Sequence, residues 1–209
     1  MSKLFSNFSA IILSGGLGSR LGYKEKGLLK FEEEELIARR IRLLKKCFEK
    51  IIVVTNSPSI YKHLDPEVTL VQDEEKHSGP LMGLYCGLKA STTEMNFVSG
   101  VDMPYLNYDL LSYLAGFCRE YDTVVAKLNG KIEPLFGFYS QKTLPQIAQR
   151  LKDKEHGGKR ISALADLTKT KLISEEEIKR FDPDLVSFVN VNTYDDLVKL
   201  GLSLPPIEG

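Results

Sequence analysis

The N-terminal part of the chain contains a glycine-rich, basic segment whose residue types suit the binding of an anion. An apolar run at residues 11–13 leads into "SGGLGSRLGYKEKG", which combines several glycines with Arg20 and Lys26. Glycines allow backbone N–H groups to approach phosphate oxygens closely, and arginine and lysine add positive charge beside them. We therefore expect this loop to bind a nucleoside triphosphate, with Arg20 and Lys26 at its phosphates.

Two well-known phosphate-binding motifs do not fit this segment. A dinucleotide-binding fingerprint requires G-x-G-x-x-G, and Gly16 and Gly18 fit, but Leu21 occupies the third position. A Walker loop requires serine or threonine after its lysine, whereas Lys26 is followed by Gly27. A phosphate loop of another type and a tight turn with solvated basic residues remain as alternatives.

Polar residues follow three other apolar runs. Asn56, Asp73 and Asp102 each stand at the carboxyl end of a predicted strand. Ligands of open α/β sheets bind outside the carboxyl ends of strands, so these residues are candidates for the same site. A carboxylate there can hold Mg²⁺, which keeps most of its waters and bridges to phosphates, and Asp102 is our candidate ligand. The alternative roles are a cap or turn for Asp102, an exposed loop acid for Asp73 and a turn for Asn56.

The order of apolar patterns predicts an α/β fold. Strands are predicted at residues 10–13, 50–56, 68–73 and 95–102, and helices at residues 33–50, 81–90, 108–117, 141–152 and 160–168. This alternation predicts a Rossmann-like, three-layer domain, with a mostly parallel sheet between helices and right-handed crossovers. Asn129 and Gly130 stand between two alternating segments and predict an antiparallel hairpin near one edge of the sheet.

Three stretches of the chain have less regular patterns. The acidic run "FEEEEL" is interpreted as the solvated first turn of a helix, where carboxylates interact favourably with the helix dipole. Residues 170–188 remain unassigned. Residues 188–201, "FVNVNTYDDLVKLG", predict a short strand, a capping turn and a final helix.

Length and composition restrict the class of protein. The 209 residues suit one domain, and Lys+Arg and Asp+Glu both number 28, which argues against a general nucleic-acid binder. The three cysteines and three histidines are scattered, so we expect no zinc site and a reducing compartment. The sequence shows neither a signal peptide nor an apolar run long enough to span a bilayer. We therefore expect a soluble, cytoplasmic protein without nucleic-acid or membrane partners.

Motifs along nearly the whole chain resemble those of one enzyme superfamily. The pattern G-G-x-x-x-R-x-G followed by Lys26 resembles the signature of nucleotidyltransferases that activate sugars, alcohols and pterins. Further segments resemble that superfamily in the same order, namely "VQDEEKHSGPLMGLYCGL", "FVSGVDMPYL", "IEPLFGFY" and "FVNVNTYDDL". The adjacent Gly15 and Gly16, together with "KGLL", are most similar to the molybdenum cofactor guanylyltransferases.

The resemblance implies a Mg²⁺-dependent transfer of GMP from GTP to the phosphate of molybdopterin or the molybdenum cofactor, with release of pyrophosphate. It implies that residues 1–105 form a nucleotide-binding half and residues 106–209 an acceptor-binding half of a single domain. The implied catalytic residues are Arg20, Lys26 and Asp102, of which Asp102 also binds the metal. The implied GTP-binding residues are Leu13, Ser14, Gly15, Lys26, Asn56, Asp73 and Asp102.

Three residues in the C-terminal part are candidates for binding the acceptor. Asn190 and Asn192 alternate, so in a strand both would face one side, where they could contact a pterin ring. Capping of the last helix is the alternative role for Asn192. Arg160, in the basic stretch "GGKR", could meet an acceptor phosphate or remain a solvated charge.

The chain departs from the family pattern at three positions. Ser14 stands where the family usually has alanine, Leu21 where it usually has methionine, and Glu133 where it commonly has histidine. The change at Glu133 puts any proton-handling role at that position in doubt.

Other functions remain as alternatives at this point. They are a cytidylyltransferase acting on the same pterin, another nucleotidyltransferase of the superfamily, and a module that only binds nucleotide. The resemblance also leaves room for transient contacts with other proteins of cofactor biosynthesis or with the apoenzyme that receives the cofactor.

Overall fold

Strands and helices alternate along most of the chain, as the apolar patterns predict. The computed structural model describes residues 4–15, 17–18, 24–73, 79–152, 160–191 and 196. Its strands are β1 (Phe8–Ser14), β2 (Leu17–Gly18), β3 (Lys24–Glu25), β4 (Lys30–Phe31), β5 (Glu34–Glu35), β6 (Lys50–Thr55), β7 (Val68–Gln72), β8 (Met95–Gly100), β9 (Thr123–Leu128), β10 (Lys131–Ser140) and β11 (Thr170–Ser174). Its helices are α1 (Leu36–Lys45), α2 (Pro80–Ala90), α3 (Tyr108–Ala115), α4 (Leu144–Lys152) and α5 (Glu175–Lys179).

Seven of these strands form one sheet in the order β11–β9–β10–β8–β1–β6–β7. β1 pairs in parallel with β6 and β8, and β6 pairs in parallel with β7. Only β10 is antiparallel to its neighbours within this sheet, while β11 is parallel to β9. The chain proceeds from β1 outward to β6 and β7 and then returns to β8 on the other side of β1. Such a reversal opens a crevice at the carboxyl ends of the strands, between β1 and β8.

Helices cover both faces of the sheet, which confirms the predicted three-layer α/β class. Apolar side chains of α1, α3 and α5 pack on one face, together with Ala10 and Ile12 of β1. Apolar side chains of α2 and α4 pack on the other face, together with Ile11. The alternation along β1 follows from the two-residue period of a strand, so this central strand is buried on both sides.

The predicted hairpin is present as the pair β9 and β10. Asn129 and Gly130 form its two-residue turn with φ values of 48° and 74°. Positive φ at both positions is the geometry for which asparagine and glycine are favoured. The β9–β10 register shifts between Glu133 and Gly137, so β10 carries a bulge where it reaches the carboxyl edge of β8.

The acidic run "FEEEEL" has a different structure from the predicted one. Glu32 and Glu33 have φ values of 50° and 63° and form a tight turn between β4 and β5, which pair antiparallel. The predicted helical first turn is therefore wrong, and α1 begins only at Leu36. The helical period in the sequence could not reveal this turn because the four glutamates carry no glycine or asparagine signal.

Residues 170–188 are ordered into β11, α5 and a short 3-10 turn, Val186–Phe188. Ser174 caps α5 in a complete capping box with Glu177. The strand that the pattern predicts from residue 188 is not found at residues 188–191, and the helix predicted after it lies mostly outside the described residues. The sequence missed β11 because its apolar alternation is short and interrupted by lysine.

The first helix is shorter than its periodic pattern suggests. The pattern predicts a helix over residues 33–50, whereas α1 has 10 residues. The helix predicted over residues 81–90 is present as α2, which has 11 residues. No helix in the described part of the chain is both long and apolar enough to cross a lipid bilayer.

We expect Glu33→Gly to stabilise the protein. The left-handed conformation costs residues other than glycine about 1–2 kcal/mol, and glycine removes this strain. The larger conformational entropy of glycine in the unfolded state offsets part of the resulting gain in stability. The net increase in the free energy of unfolding should be about 0.5–1 kcal/mol, measured by denaturant unfolding.

Glu33→Ala is the matched control for this change, because alanine removes the same charge but retains the Cβ atom and the strain. An equal gain from Glu33→Ala would show that charge, and not backbone conformation, is responsible.

Candidate active site

A cavity of about 410 Å³ lies at the carboxyl edge of the parallel strands. This volume falls in the range of small-molecule sites, which is roughly 300–1,000 Å³. The cavity is lined by residues from the strand ends, the glycine-rich loop, α2 and β10, namely Leu13, Gly15, Lys26, Val54, Asn56, Asp73, Gly79, Pro80, Gly83, Gly100, Val101, Asp102 and Leu135. Six of the predicted site residues are therefore brought together here.

The sheet topology explains why residues distant in sequence meet at this cavity. Gly15 follows β1, Asn56 follows β6, Asp73 follows β7, and Asp102 lies two residues beyond β8. These strands are parallel, so their carboxyl ends lie at one edge of the sheet. The prediction that these strand-end residues share one site agrees with their common place on the cavity wall.

Lys26 and Asp102 form an ion pair on the wall of the cavity. The Lys26 Nζ atom donates to Asp102 Oδ2 at 3.0 Å. Their side chains are 19% and 16% exposed, so both remain accessible from the cavity while much of each is shielded from water. The pair places a positive and a negative group side by side, which suits the joint binding of phosphate and a divalent cation.

Gly100 permits the close approach of the Asp102 carboxylate to the backbone. A Cβ atom at Gly100 would lie 2.5 Å from Asp102 Oδ1 and 3.4 Å from Leu135 Cδ1. Any larger residue at this position would force the carboxylate away from its present place. The geometry of Asp102 thus depends on a glycine that the motif comparison did not single out.

The part of the cavity wall at the ends of β6 and β7 carries amide and carboxylate groups. Asn56 Nδ2 donates to the Gly15 carbonyl at 3.0 Å, and Asn56 Oδ1 is buried without a hydrogen-bond partner among the described residues. Asp73 is 8% exposed, and the Cys86 thiol lies 4.0 Å from its Oδ1 atom. A buried acceptor without a partner is costly, so Asn56 Oδ1 is suited to accept a hydrogen bond from a ligand.

The N-terminus of α2 also faces the cavity. Gly79 precedes the helix with φ of 86°, Pro80 occupies its first turn, and the N-cap residue, being a glycine, has no side chain that could cap the end. Gly79, Pro80 and Gly83 all line the cavity. The helix dipole favours negative charge at such an end, so α2 adds a partial positive charge to the wall of the cavity.

Ser14 has a structural contact instead of a place on the cavity wall. Its Oγ atom lies 2.8 Å from Tyr61 Oη in a buried hydrogen bond. Burial raises the pKa of Tyr61 to about 12, although the bond to Ser14 acts in the opposite direction. The bond connects the end of β1 to the 3-10 segment Pro58–Tyr61, and the GTP contact expected for Ser14 stays a prediction.

Gly27 is enclosed by this buried hydrogen bond. A Cβ atom at Gly27 would overlap the Tyr61 hydroxyl and lie 3.1 Å from Ser14 Oγ. Only glycine therefore allows the residue after Lys26 to approach so closely. This contact holds the backbone at Gly27 beside the end of β1. It therefore restricts the position of the backbone at the preceding residue, Lys26.

The remaining predicted site residues are distributed differently. Arg20 and Asn192 lie outside the described residues. Asn190 is exposed, and its Nδ2 atom donates to the Phe188 carbonyl at 3.2 Å. The neighbouring Val191 N–H donates to the Asp102 carbonyl at 2.8 Å, so this segment runs beside the cavity. Arg160 is exposed at the start of a 3-10 helix and does not line the cavity.

Arg40 is a residue that the motifs did not reveal. It is fully buried on α1, and its Nε and Nη1 atoms donate to Ser99 Oγ at 2.8 Å and to the carbonyls of Met103 and Tyr105 at 3.1 and 2.8 Å. Burial lowers the pKa of Arg40 to about 10, although the negative charge of Asp102 acts in the opposite direction and raises it. A signal was present in the sequence, because Arg40 falls on the apolar face of α1 between Ile37 and Leu44.

Glu133 lies near the cavity on the bulged strand β10, two residues before Leu135. Burial raises the pKa of its carboxyl group, and the charge of Lys131 acts in the opposite direction. The carbonyl of Pro134, which lies between Glu133 and Leu135, accepts a hydrogen bond from Tyr139 Oη at 2.8 Å. This bond stabilises the bulge.

The chemistry of the cavity fits a hard divalent cation. No cluster of three or more metal-ligating side chains occurs in the described part of the chain. Mg²⁺ commonly uses only one or two carboxylates and completes its octahedron with water and substrate phosphates. Asp102, beside a lysine in a strand-end cavity, supplies a carboxylate of this kind.

Comparison with known proteins identifies the family of this chain. A family model described as the MobA-like NTP transferase domain matches residues 10–170. The chain belongs to this family. The resemblance drawn from the motifs is thereby confirmed, and the chain is an enzyme of the nucleotidyltransferase class.

Two relatives of this MobA-like chain cover most of its length. "Probable molybdenum cofactor guanylyltransferase" from Methanosarcina mazei is 33% identical over 198 residues, which cover 90% of this chain and 88% of that protein. Molybdenum cofactor guanylyltransferase from Syntrophotalea carbinolica is 32% identical over 195 residues, which cover 91% and 89% of the two chains.

A solved structure shares the fold of this MobA-like chain. The crystal structure of molybdopterin-guanine dinucleotide biosynthesis protein A from Archaeoglobus fulgidus matches with a TM-score of 0.76 and 22% identity. The match covers 91% of this chain and 95% of that chain, so the common architecture extends over nearly all of both.

We expect Gly27→Ala to destabilise the protein and to slow its reaction, because the new methyl group would overlap the Tyr61 hydroxyl next to Lys26. Overpacking of this kind costs about 1–3 kcal/mol, which thermal unfolding would measure.

The double variant Gly27→Ala, Tyr61→Phe should recover part of this loss, because phenylalanine lacks the overlapping oxygen. Tyr61→Phe alone is the control for loss of the Ser14 hydrogen bond, and it should cost about 0.5–1.5 kcal/mol. Strictly additive effects of the two changes would contradict the proposed contact.

Proposed function

We propose that this protein transfers GMP from GTP to the terminal phosphate of molybdopterin or the molybdenum cofactor, with Mg²⁺, and releases pyrophosphate. The observation that carries the proposal is the Lys26–Asp102 ion pair in a strand-end cavity of a MobA-like chain. The names of the two relatives, which specify a guanylyltransferase of the molybdenum cofactor, support the choice of nucleotide and acceptor.

The proposed reaction requires no nucleophile from the protein. An oxygen of the acceptor phosphate, which is already ionised at neutral pH, forms a bond to the α-phosphorus of GTP. The bond from that phosphorus to the bridging oxygen breaks, and pyrophosphate leaves with the electron pair. The protein therefore acts by positioning the two substrates and by stabilising the charge that develops on the phosphates.

Each group of the cavity has a role in this proposal. Lys26, Arg20 and the N–H groups of the glycine-rich loop would contact the phosphates. Asp102 would hold Mg²⁺, which when bound neutralises phosphate charge and orients the transferred group. Asp73 could accept hydrogen bonds from N1–H and N2–H₂ of guanine, and the buried Asn56 Oδ1 atom offers another acceptor.

The acceptor would approach from the C-terminal part of the chain. The N–H group of Val191 is bonded to the Asp102 carbonyl, so the segment that contains Asn190 lies at the end of the cavity that carries Asp102. This position supports the division of the domain into a nucleotide-binding half, residues 1–105, and an acceptor-binding half, residues 106–209. Arg160 remains a candidate for an acceptor phosphate.

A panel of nucleotides tests this function directly. With Mg²⁺ and the pterin acceptor, we expect GTP to be consumed and pyrophosphate released, while CTP and ATP react much more slowly. Asp102→Asn and Lys26→Met should each lower kcat by about 10²-fold or more, because each removes charge stabilisation from the phosphates.

Lys30→Ala is the matched control, since Lys30 is an exposed lysine of the same region that does not line the cavity. A preference for CTP would make the protein a cytidylyltransferase, and nucleotide binding without turnover would make it a non-catalytic module. Equal decreases of kcat in Lys26→Met and Lys30→Ala would show that the loop acts only as a general basic surface.

We expect the double change Asn190→Ala, Asn192→Ala to impair use of the acceptor. The loss of each hydrogen bond should raise KM for the pterin by about 3- to 10-fold, while GTP affinity stays close to normal. Steady-state kinetics with either substrate varied, together with the melting temperature, would measure these effects. A lower melting temperature without an acceptor defect would indicate that the asparagines have only a structural role.

A further inference from the structure

Residues 102–105, which we call the Asp102 segment, form neither helix nor strand, yet all four of their carbonyl groups accept hydrogen bonds. The Asp102 carbonyl accepts from the Val191 N–H at 2.8 Å. The Met103 and Tyr105 carbonyls accept from Arg40 Nη1, and the Pro104 carbonyl accepts from Arg39 Nε at 2.9 Å. Three of the four bonds therefore come from two adjacent arginine side chains of α1.

Arg40 also reaches the strand that precedes the Asp102 segment. Its Nε atom donates to Ser99 Oγ of β8 at 2.8 Å, and Ser99 is fully buried. One planar guanidinium thus connects residue 99, before Asp102, with residues 103 and 105, after it. A guanidinium holds its donors in a rigid fork, so these contacts restrict the position of the backbone between them.

Arg39 contacts the same segment from the position next to Arg40 on α1. Its Cζ atom lies 4.5 Å from the centre of the Phe31 ring, and its Nη1 atom donates to Glu32 Oε2 at 2.8 Å. These contacts hold the Arg39 side chain over the turn between β4 and β5, from which it reaches the Pro104 carbonyl.

The burial of Arg40 requires an explanation, because a fully buried guanidinium is costly unless it is well paired. Its Nη2 atom is buried and has no hydrogen-bond partner among the described residues. An apolar residue would fill this position on α1 without that cost. It would also leave the carbonyls of Met103 and Tyr105 without their donor, in a segment that has no regular secondary structure.

We propose that Arg40, assisted by Arg39, is a positioning residue that fixes Asp102 for binding of the metal ion and so sets the metal affinity of the site. This inference rests on the proposed function, in which Asp102 holds Mg²⁺. Arg40 is buried beneath the Asp102 segment and acts through its carbonyls, so it is not a ligand of nucleotide or acceptor. Groups that orient a metal ligand commonly change metal affinity by about 10- to 100-fold when they are removed.

The test compares Arg40→Met and Arg40→Lys with the wild type. Binding of Mn²⁺ in the presence of GTP is measured by electron paramagnetic resonance, since Mn²⁺ accepts the same oxygen ligands. We expect Arg40→Met to raise the Kd for Mn²⁺ by about 10- to 100-fold, and Arg40→Lys, which keeps the charge without the fork, to give a smaller increase. Saturating Mn²⁺ should restore most of kcat.

Two control variants separate positioning from general effects. Arg42→Met removes an arginine from the same helix, one that is paired with Glu34 at the surface. Ile147→Ala destabilises the core on the opposite face of the sheet. Both should leave the Kd for Mn²⁺ within about 2-fold of the wild type, because neither touches the Asp102 segment. A Kd for Arg40→Met equal to that of the wild type, or an equal increase in Ile147→Ala, would overturn the inference.

Hydrogen exchange of the protein without metal or nucleotide gives an independent readout. We expect the amides of residues 101–103, 105 and 106 to exchange faster in Arg40→Met and Arg40→Lys, and their exchange to remain unchanged in Arg42→Met. Failure of the wild type to bind Mn²⁺ with GTP would contradict the metal site in the proposed function. The exchange data would still decide the role of Arg40, and unchanged exchange in its variants would overturn it.

Discussion

β1 lies in the interior of the sheet, where Ser14 pairs with Thr55 of β6 and Leu13 pairs with Gly100 of β8. This parallel register brings the ends of three strands to one edge, and the cavity forms there. A slip of two residues would move a strand end by about 6.6 Å, roughly twice the length of the Lys26–Asp102 ion pair. The electrostatic geometry of the site therefore depends on the register of β1.

Apolar packing enforces this register. Along β1, Ile11 contributes to the core beneath α2, whereas Ile12 contributes to the core beneath α1, so a one-residue slip would reverse both faces. Gly87 of α2 lies against Ile11, where a Cβ atom would be only 2.6 Å from Ile11 Cγ2. The same close packing that fixes the strand therefore carries the N-terminus of α2 to the cavity.

The sequence predicts those parts of the molecule that depend on local pattern. The alternation of elements, the turn at Asn129 and Gly130, and the strand-end positions of Asp73 and Asp102 all follow from short-range signals. The turn at Glu32 and Glu33 escaped prediction, because positive φ there follows from the pairing of β4 with β5. Contacts between distant parts of the chain were not predictable either, since no local pattern encodes the approach of Tyr61 to Gly27.

The two kinds of cation around Asp102 are suited to different tasks. The guanidinium of Arg40 is buried and donates to three acceptors, so it maintains one backbone geometry. It cannot move together with a substrate. The ammonium of Lys26 is a compact charge on a flexible stem, and it lies on the cavity wall beside Asp102. In the proposed reaction, phosphates and the metal ion would compete for the two members of the Lys26–Asp102 pair. In this proposal, Arg40 would maintain the position of the carboxylate during that exchange, whereas Lys26 could change its partner.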